Sequence, residues 1–227
     1  RLPESLAPLR NFDEVNPARV RFELGSIAAQ QGDLERAVDL YRQALEMACE
    51  GDENLRVWCV LAHNNLAYHL HLLGSPDALA YAEQGLEIAL EHGMFGQLTY
   101  LYSTLGEISL GKGDLEAAEN YLRRGLELAE QLDMAERIAG ITANLGLVAQ
   151  RRGEKELAIH RLSTALARAE DIGTRHLAAQ IQLWLAPLLP EEEGRAALNR
   201  VLAFAREEGR LGLLRQAEET RAIHFSG

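Results

Sequence analysis

The stretch LGEISLGKGDLEAAENYLRRG, residues 105–125, decides the fold. It opens on the pair Leu105-Gly106, breaks at Gly113-Asp114, and continues through Ala118, Leu122 and Gly125. The last three stand at i, i+4 and i+7, one face of an α-helix. A glycine is favoured just past a helix end, and an aspartate is favoured as the N-cap of the next helix. The segment therefore reads as helix, tight turn, helix.

Outward from this stretch, the same phrase recurs five times. The Leu-small pairs are Leu24-Gly25, Leu66-Ala67, Leu105-Gly106, Leu145-Gly146 and Leu185-Ala186, spaced by 42, 39, 40 and 40 residues. The alanines after the turn are Ala37, Ala78, Ala118, Ala158 and Ala197, spaced by 41, 40, 40 and 39. Two independent landmarks hold one period, the sign of a repeat array. The small residue after leucine lets the two helices approach closely, and the alanine of the second helix faces the same contact. Four residues further come Tyr41, Ala82, Leu122, Leu162 and Val201, and three beyond those Ala44, Gly85, Gly125, Ala165 and Phe204. Phe204 is large where the others are small, so the last repeat is expected to pack differently.

The turns agree with this reading. Gly32-Asp33 and Gly153-Glu154 repeat the Gly-acid break, and Ser75-Pro76-Asp77 offers a serine cap with proline at the first helical position. Glu191, Glu192 and Glu193 follow Leu189-Pro190, where the helix dipole favours acids.

These offsets resemble the tetratricopeptide repeat over roughly residues 18–208. The resemblance implies an all-α fold, an α-solenoid wound as a right-handed superhelix, with five helix–turn–helix repeats and a C-terminal capping helix. The period here is near 40 rather than about 34, the extra length lying in longer helices and in inter-repeat turns such as Glu91-His92-Gly93 and Asp171-Ile172-Gly173. This longer class is similar to the sensor arrays of bacterial signalling ATPases and of regulators like the maltose-regulon activator. The expected organisation is a lead-in over 1–17 and an array over 18–209, divided at about 18–53, 54–98, 99–138, 139–178 and 179–209. Residues 210–227, with Leu211, Leu214, Ala217 and Ala222, are a capping helix or a truncated sixth repeat.

In the family resembled, positions 2, 5, 6 and 9 of each repeat project into a concave groove, and the leucine of the pair is position 7. The candidate partner-binding residues are then Arg19, Glu23, Asn64, Asn65, Tyr68, Tyr100, Ser103, Thr104, Glu107, Asn144, Gln180 and Trp184. An asparagine amide offers donors and an acceptor to the main chain of an extended peptide. Tyrosine and tryptophan supply rigid apolar area with a polar tip. Each has an alternative role: Asn65 and Asn144 as hydrogen bonders between repeats, Tyr68 and Tyr100 as half-buried packing, Trp184 as core. Leu147 and Leu183 at groove positions indicate an apolar floor or a slipped register. A carboxylate clamp for chain termini is disfavoured, because Phe22, Ser26, Tyr100 and Thr104 stand where that clamp needs asparagine and bases.

Composition narrows the partner. The formal charge is −11, from 34 acidic and 23 basic residues. A phosphate-binding surface needs a clustered basic stripe, whereas only the pairs Arg123-Arg124 and Arg151-Arg152 occur, read as solvated helix ends. No direct nucleic-acid contact and no membrane span are expected, and the cytoplasm is the default compartment. Cys49 and Cys59 read as small buried hydrophobes in a reducing compartment, without metal-ligand spacing around them. His63, His69 and His71 stand six and two apart, spacings that point the rings away from a shared ion. No catalytic or cofactor motif appears; Gly111-Lys112-Gly113-Asp114 is a repeat turn, not a phosphate loop.

The chain is thus expected to be no enzyme and to need no cofactor. Its partner is expected to be a protein, a peptide or a small effector. Because the first residue is Arg1 rather than methionine, it is read as part of a longer regulatory protein, with a passive scaffold as the alternative. The register predicts that Leu145→Asp unfolds neighbouring repeats while Asn144→Ala leaves stability nearly intact.

Overall fold

The computed structural model describes residues 16–50 and 53–225; the lead-in over 1–15 lies outside them. The described residues form eleven α-helices: α1 (Pro17–Gln30), α2 (Leu34–Cys49), α3 (Arg56–Leu72), α4 (Ala78–Glu91), α5 (Phe95–Lys112), α6 (Leu115–Gln131), α7 (Ala135–Arg151), α8 (Lys155–Asp171), α9 (Arg175–Leu185), α10 (Glu191–Glu207) and α11 (Leu211–His224). No described helix is long and apolar enough to cross a membrane.

Helices pair in chain order, α1 with α2 through α9 with α10, and each first helix also packs on the first helix of the next pair. That second set of contacts gathers α1, α3, α5, α7 and α9 into one layer, the arrangement of an α-solenoid. α11 continues it, packing on α10 and α9 as a first helix does.

One closure is used at eight junctions. The residue after the helix is left-handed (Gly32, Gly74, Gly93, Gly113, Asp133, Gly153, Gly173 and Gly209). The next N–H then donates back to a carbonyl five residues earlier, as in Asp114 N to Ser109 O at 3.0 Å and Arg210 N to Ala205 O at 2.8 Å. This Schellman geometry satisfies helix-end carbonyls that have no partner within the helix. Asp33 and Asp114 then cap α2 and α6, accepting from Arg36 N at 3.2 Å and Ala117 N at 3.0 Å. Glu154, where no aspartate follows the glycine, makes no side-chain cap. One turn differs from expectation: α4 begins at Ala78, two residues past Pro76, with Ser75 Oγ accepting from Asp77 N at 3.3 Å.

The glycines of the Leu-small pairs act as anticipated, although Leu24 of the first pair is exposed. A Cβ added at Gly25 would meet Tyr41 Cε1 at 2.9 Å, one at Gly106 would meet Leu122 Cγ at 2.5 Å, and one at Gly146 would meet Leu162 Cγ at 2.9 Å. Leu66, Leu105, Leu122 and Leu162 are fully buried. The repeat boundaries drawn from sequence at 99, 139 and 179 fall four residues inside α5, α7 and α9. The extra residues of the long period extend the first helix at its N-terminus, ahead of the motif. In the last repeat, the Phe204 ring lies under Arg175 at 5.1 Å, beside a cavity of about 300 Å³. Leu183 belongs to the core that Ala197, Val201, Ala217 and Phe225 share, and Leu147 packs on the core around Leu122 and Leu145.

The cysteines correct the sequence reading. Cys49 and Cys59 form a disulfide across the α2–α3 junction, and Cys49 is exposed. Their Cα atoms lie 5.1 Å apart, within the 4.4–6.8 Å that such a bridge requires. The inter-repeat turn brings together two residues ten apart in sequence. The pair therefore gives no argument for a reducing compartment. The arginine pairs are also engaged: Arg123 and Arg152 both pair with Glu119, and Arg124 lies over the Tyr102 ring at 4.7 Å.

Candidate partner-binding groove

Three consecutive first helices, α3, α5 and α7, carry a linked set of polar and aromatic side chains. Thr104 Oγ1 donates to Asn64 Oδ1 at 2.9 Å, and Asn64 Nδ2 donates to Asn65 Oδ1 at 3.2 Å. On the other side of α5, Asn144 Nδ2 donates to Glu107 Oε1 at 2.9 Å and to Ser103 Oγ at 3.5 Å, while Ser103 Oγ donates to the same carboxylate at 3.2 Å. Asn64, Ser103, Thr104 and Asn144 are buried. Their hydrogen bonds run between repeats, which is the alternative role considered for Asn144. The expectation that Asn144→Ala is nearly neutral is corrected, because that amide satisfies a carboxylate desolvated between two helices. Asn65 faces the second-helix layer as well, sharing the Tyr41 hydroxyl with Ser26, whose Oγ lies 3.1 Å from it.

Half-buried side chains adjoin this lattice, Glu107 among them as its shared acceptor. Tyr68 from α3, Tyr100 and Glu107 from α5 and Arg137 from α7 adjoin one another: Arg137 lies over the Tyr100 ring at 4.6 Å, and Tyr68 feels the charges of both Glu107 and Arg137. Burial pushes the Tyr68 phenol above its ordinary range; Glu107 adds to the shift and Arg137 opposes it. Burial likewise raises the Glu107 carboxyl, against the lowering effect of its hydrogen bonds from Asn144 and Ser103 and of the Arg137 charge. The result is a rigid aromatic surface with one cation and one partly desolvated carboxylate.

The remaining sequence-derived positions have partners elsewhere. Arg19 and Glu23, exposed on α1, lie 3.9 Å apart, with Arg19 also 5.6 Å from the Trp58 ring. Gln180 Nε2 donates to Gln216 Oε1 of α11 at 3.4 Å, and Trp184 packs half-buried on the core around Leu162 and Ile181. Sequence reasoning missed Arg137. It lies eight residues before Leu145, in the N-terminal extension of the first helix, where a count restricted to the 34-residue motif does not reach. A cation placed to stack on Tyr100 one repeat earlier was the available signal.

The three histidines diverge, as their spacing implied. His69 Nδ1 lies 2.7 Å from Asn65 O and His63 Nδ1 lies 3.0 Å from Cys59 O, while a Cβ at Gly111 would meet His71 Cε1. Burial holds the His63 and His69 imidazoles below their ordinary range.

This architecture, stacked helical hairpins with a first-helix layer that carries an aromatic and charged patch, defines an α-solenoid. Two of its helical hairpins, over residues 18–48 and 99–132, match a family model described as tetratricopeptide repeat. No curated protein matches the sequence. Among solved structures, the chain is similar to a Rap protein complexed with competence and sporulation factor, at 18% identity and TM-score 0.73, covering 96% of this chain and 63% of that one. It is also similar to a signal transduction ATPase with numerous domains and a tetratricopeptide-repeat sensor from Pyrococcus horikoshii, at 16% identity and TM-score 0.66, over 92% of this chain and 32% of that one. A third similar structure is the Rap conjugation gene regulator of a plasmid, in complex with the Phr* peptide, at 17% identity and TM-score 0.55, over 99% of this chain and 69% of that one. The chain thus spans under two thirds of the length of the first two.

Proposed function

We propose that this chain is the sensing or docking array of a larger bacterial regulatory protein, and that the α3–α5–α7 face receives an extended peptide or protein segment. The observation that carries the reading is the juxtaposition of Tyr68, Tyr100, Glu107 and Arg137 from three successive repeats. Aromatic and arginine side chains held on rigid helices are the residue types that dominate binding energy at interfaces. The buried lattice beneath fixes their spacing, so little ordering entropy is lost when a partner binds. An extended segment offers N–H donors to Glu107, carbonyl acceptors to Arg137 and apolar side chains to the two tyrosines. Rap proteins solved with a factor or a Phr* peptide, and a sensor of the same fold, support this use.

The proposed array acts by binding and not by catalysis, in a cytoplasmic parent that controls transcription or another signalling output. A small effector is a second occupant of suitable chemistry for the same patch, and the net charge of −11 argues against nucleic acid. A passive scaffold is the competing reading. A nucleotide-binding module preceding the array in the full-length gene would favour the sensor, and so would a change in that module's activity on ligand binding.

The test is selection of unstructured peptides from a displayed library on this chain, with affinities then measured by fluorescence anisotropy. Tyr100→Ala and Arg137→Ala should each weaken the selected peptides at least about tenfold, while Glu83→Ala on the exposed side of α4 should not. Equal binding by all variants would remove the site from this face.

A further inference from the structure

We propose that Cys49, Cys59 and His63 form a redox-gated site for a thiophilic divalent cation, zinc by preference, at the junction of the first two repeats. One ligand atom from each of the three residues lies within 4.8 Å of the others. A tetrahedral zinc shell with bonds of about 2.0–2.3 Å separates its ligand atoms by roughly 3.5–3.8 Å. The two thiolates and one imidazole are the donor set that zinc selects.

The fold builds the site from both helices of the junction. Cys49 ends α2, Cys59 sits in the first turn of α3, and His63 lies one turn further along the same face. Its Nδ1 is 3.7 Å from Cys59 Sγ. This is an i, i+4 ligand pair on one helix, the spacing that a search among cysteines alone or histidines alone passes over. His63 is held in place from outside: a Cβ at Gly85 would strike its Cβ at 2.8 Å, and the Gln84 side chain hydrogen-bonds the ring. Such orientation of a ligating imidazole by a neighbouring polar group is what metal sites use. Cys59 and His63 are buried whereas Cys49 is exposed, so an ion reaches the site from solvent and keeps one open position for water.

In the disulfide form, neither sulfur is a thiolate and the site does not bind metal. A dithiol reductant supplies two electrons and two protons, breaking the S–S bond and becoming a disulfide itself. Zinc then binds both sulfurs and the imidazole, releasing two protons. Peroxide reverses the cycle: the two zinc-bound thiolates, one hydrogen peroxide and two protons taken from water give the disulfide and two waters, and the ion leaves. Either state ties the end of α2 to the start of α3, so the junction is closed by a covalent bond or by a metal.

Cobalt(II) is the probe, because a thiolate-to-cobalt charge-transfer band reports sulfur ligation directly. The whole chain is titrated with cobalt(II) after oxidation and after reduction with a phosphine, with helicity followed by circular dichroism, and zinc is then added in competition. The expected result is no band in the oxidised form and one equivalent in the reduced form, bleached by zinc. Cys49→Ala, at an exposed helix end and compared with the reduced parent at matched helicity, should diminish the band and weaken binding at least about tenfold; His63→Gln should keep a sulfur band but lose at least about tenfold in affinity. A reduced, helical chain with no more cobalt absorption than Cys49→Ala would overturn the site. Unchanged affinity in His63→Gln would overturn the three-ligand assignment.

Discussion

Asn144 Nδ2 donates to Glu107 Oε1 at 2.9 Å, joining α7 to α5 across nearly one full repeat. The same amide reaches Ser103 Oγ at 3.5 Å, so one side chain serves two acceptors on the preceding first helix. Asn144→Ala removes that donor and leaves a largely desolvated carboxylate with one partner fewer. The expected cost is about 1–3 kcal/mol, read as a lower urea midpoint with circular dichroism at zero denaturant unchanged. Leu145→Asp places a charge in the core around Leu122 and Val148 and should lose helicity outright. Unaltered stability of Asn144→Ala would mean that water replaces the amide without cost.

Glu107 gives the pH counterpart. Burial raises its folded-state carboxyl above the ordinary range, so the folded protein holds that proton more tightly than the unfolded chain does. The proton linkage therefore stabilises the fold at low pH, in full below the unfolded pKa, and is lost as pH rises through the folded value. Glu107→Gln keeps an acceptor for Asn144 without the desolvated charge. At pH 7 it should be more stable than the parent, with the advantage disappearing towards pH 4, where the unfolded carboxylate also takes up its proton. Denaturant midpoints of both proteins measured across that range decide it; a constant offset would assign the effect to packing.

The repeats were legible because the interior demands them. Gly106 and Gly146 are small since Leu122 and Leu162 occupy the space a Cβ would need, and that requirement returns every 40 residues or so. The candidate positions were legible as residues of neighbouring first helices, but not by partner. The motif count brings Asn64 and Thr104 to neighbouring helices, yet whether an asparagine points at a partner or at the next repeat depends on where its neighbours' hydroxyls fall. Arg137 escaped because it precedes the motif, and Cys49 met Cys59 only through a turn whose course no local pattern encodes.

One helix offers opposite outcomes for the same substitution. A Cβ at Gly140 of α7 meets nothing within 4 Å, whereas one at Gly146 meets Leu162 Cγ at 2.9 Å. Gly140→Ala gains helix propensity without a clash and should stabilise by roughly 0.5–1 kcal/mol. Gly146→Ala forces α8 away and should cost about 1–3 kcal/mol. Thermal melts of the two variants should move in opposite directions. If both rose, the close approach of α7 and α8 would not be what the Leu-Gly pair secures.

Asp133 stands alone at its turn. Among the described residues it is the one non-glycine with positive φ, 51°, and it fills the place that Gly93, Gly173 and Gly209 hold at the other three-residue inter-repeat turns. Met134 N still closes onto Ala129 O at 2.9 Å, so the backbone path is kept despite the side chain. Left-handed backbone costs an L-residue roughly 1 kcal/mol, less for aspartate than for alanine. Asp133→Gly should therefore raise stability by roughly 0.5 kcal/mol, and Asp133→Ala should lower it by a similar amount. Gly173→Ala, at the equivalent turn one repeat later, should lose about 1 kcal/mol. Differential scanning calorimetry ranks the three; a destabilised Asp133→Gly would mean that the aspartate side chain itself, and not the turn conformation, holds α6 to α7.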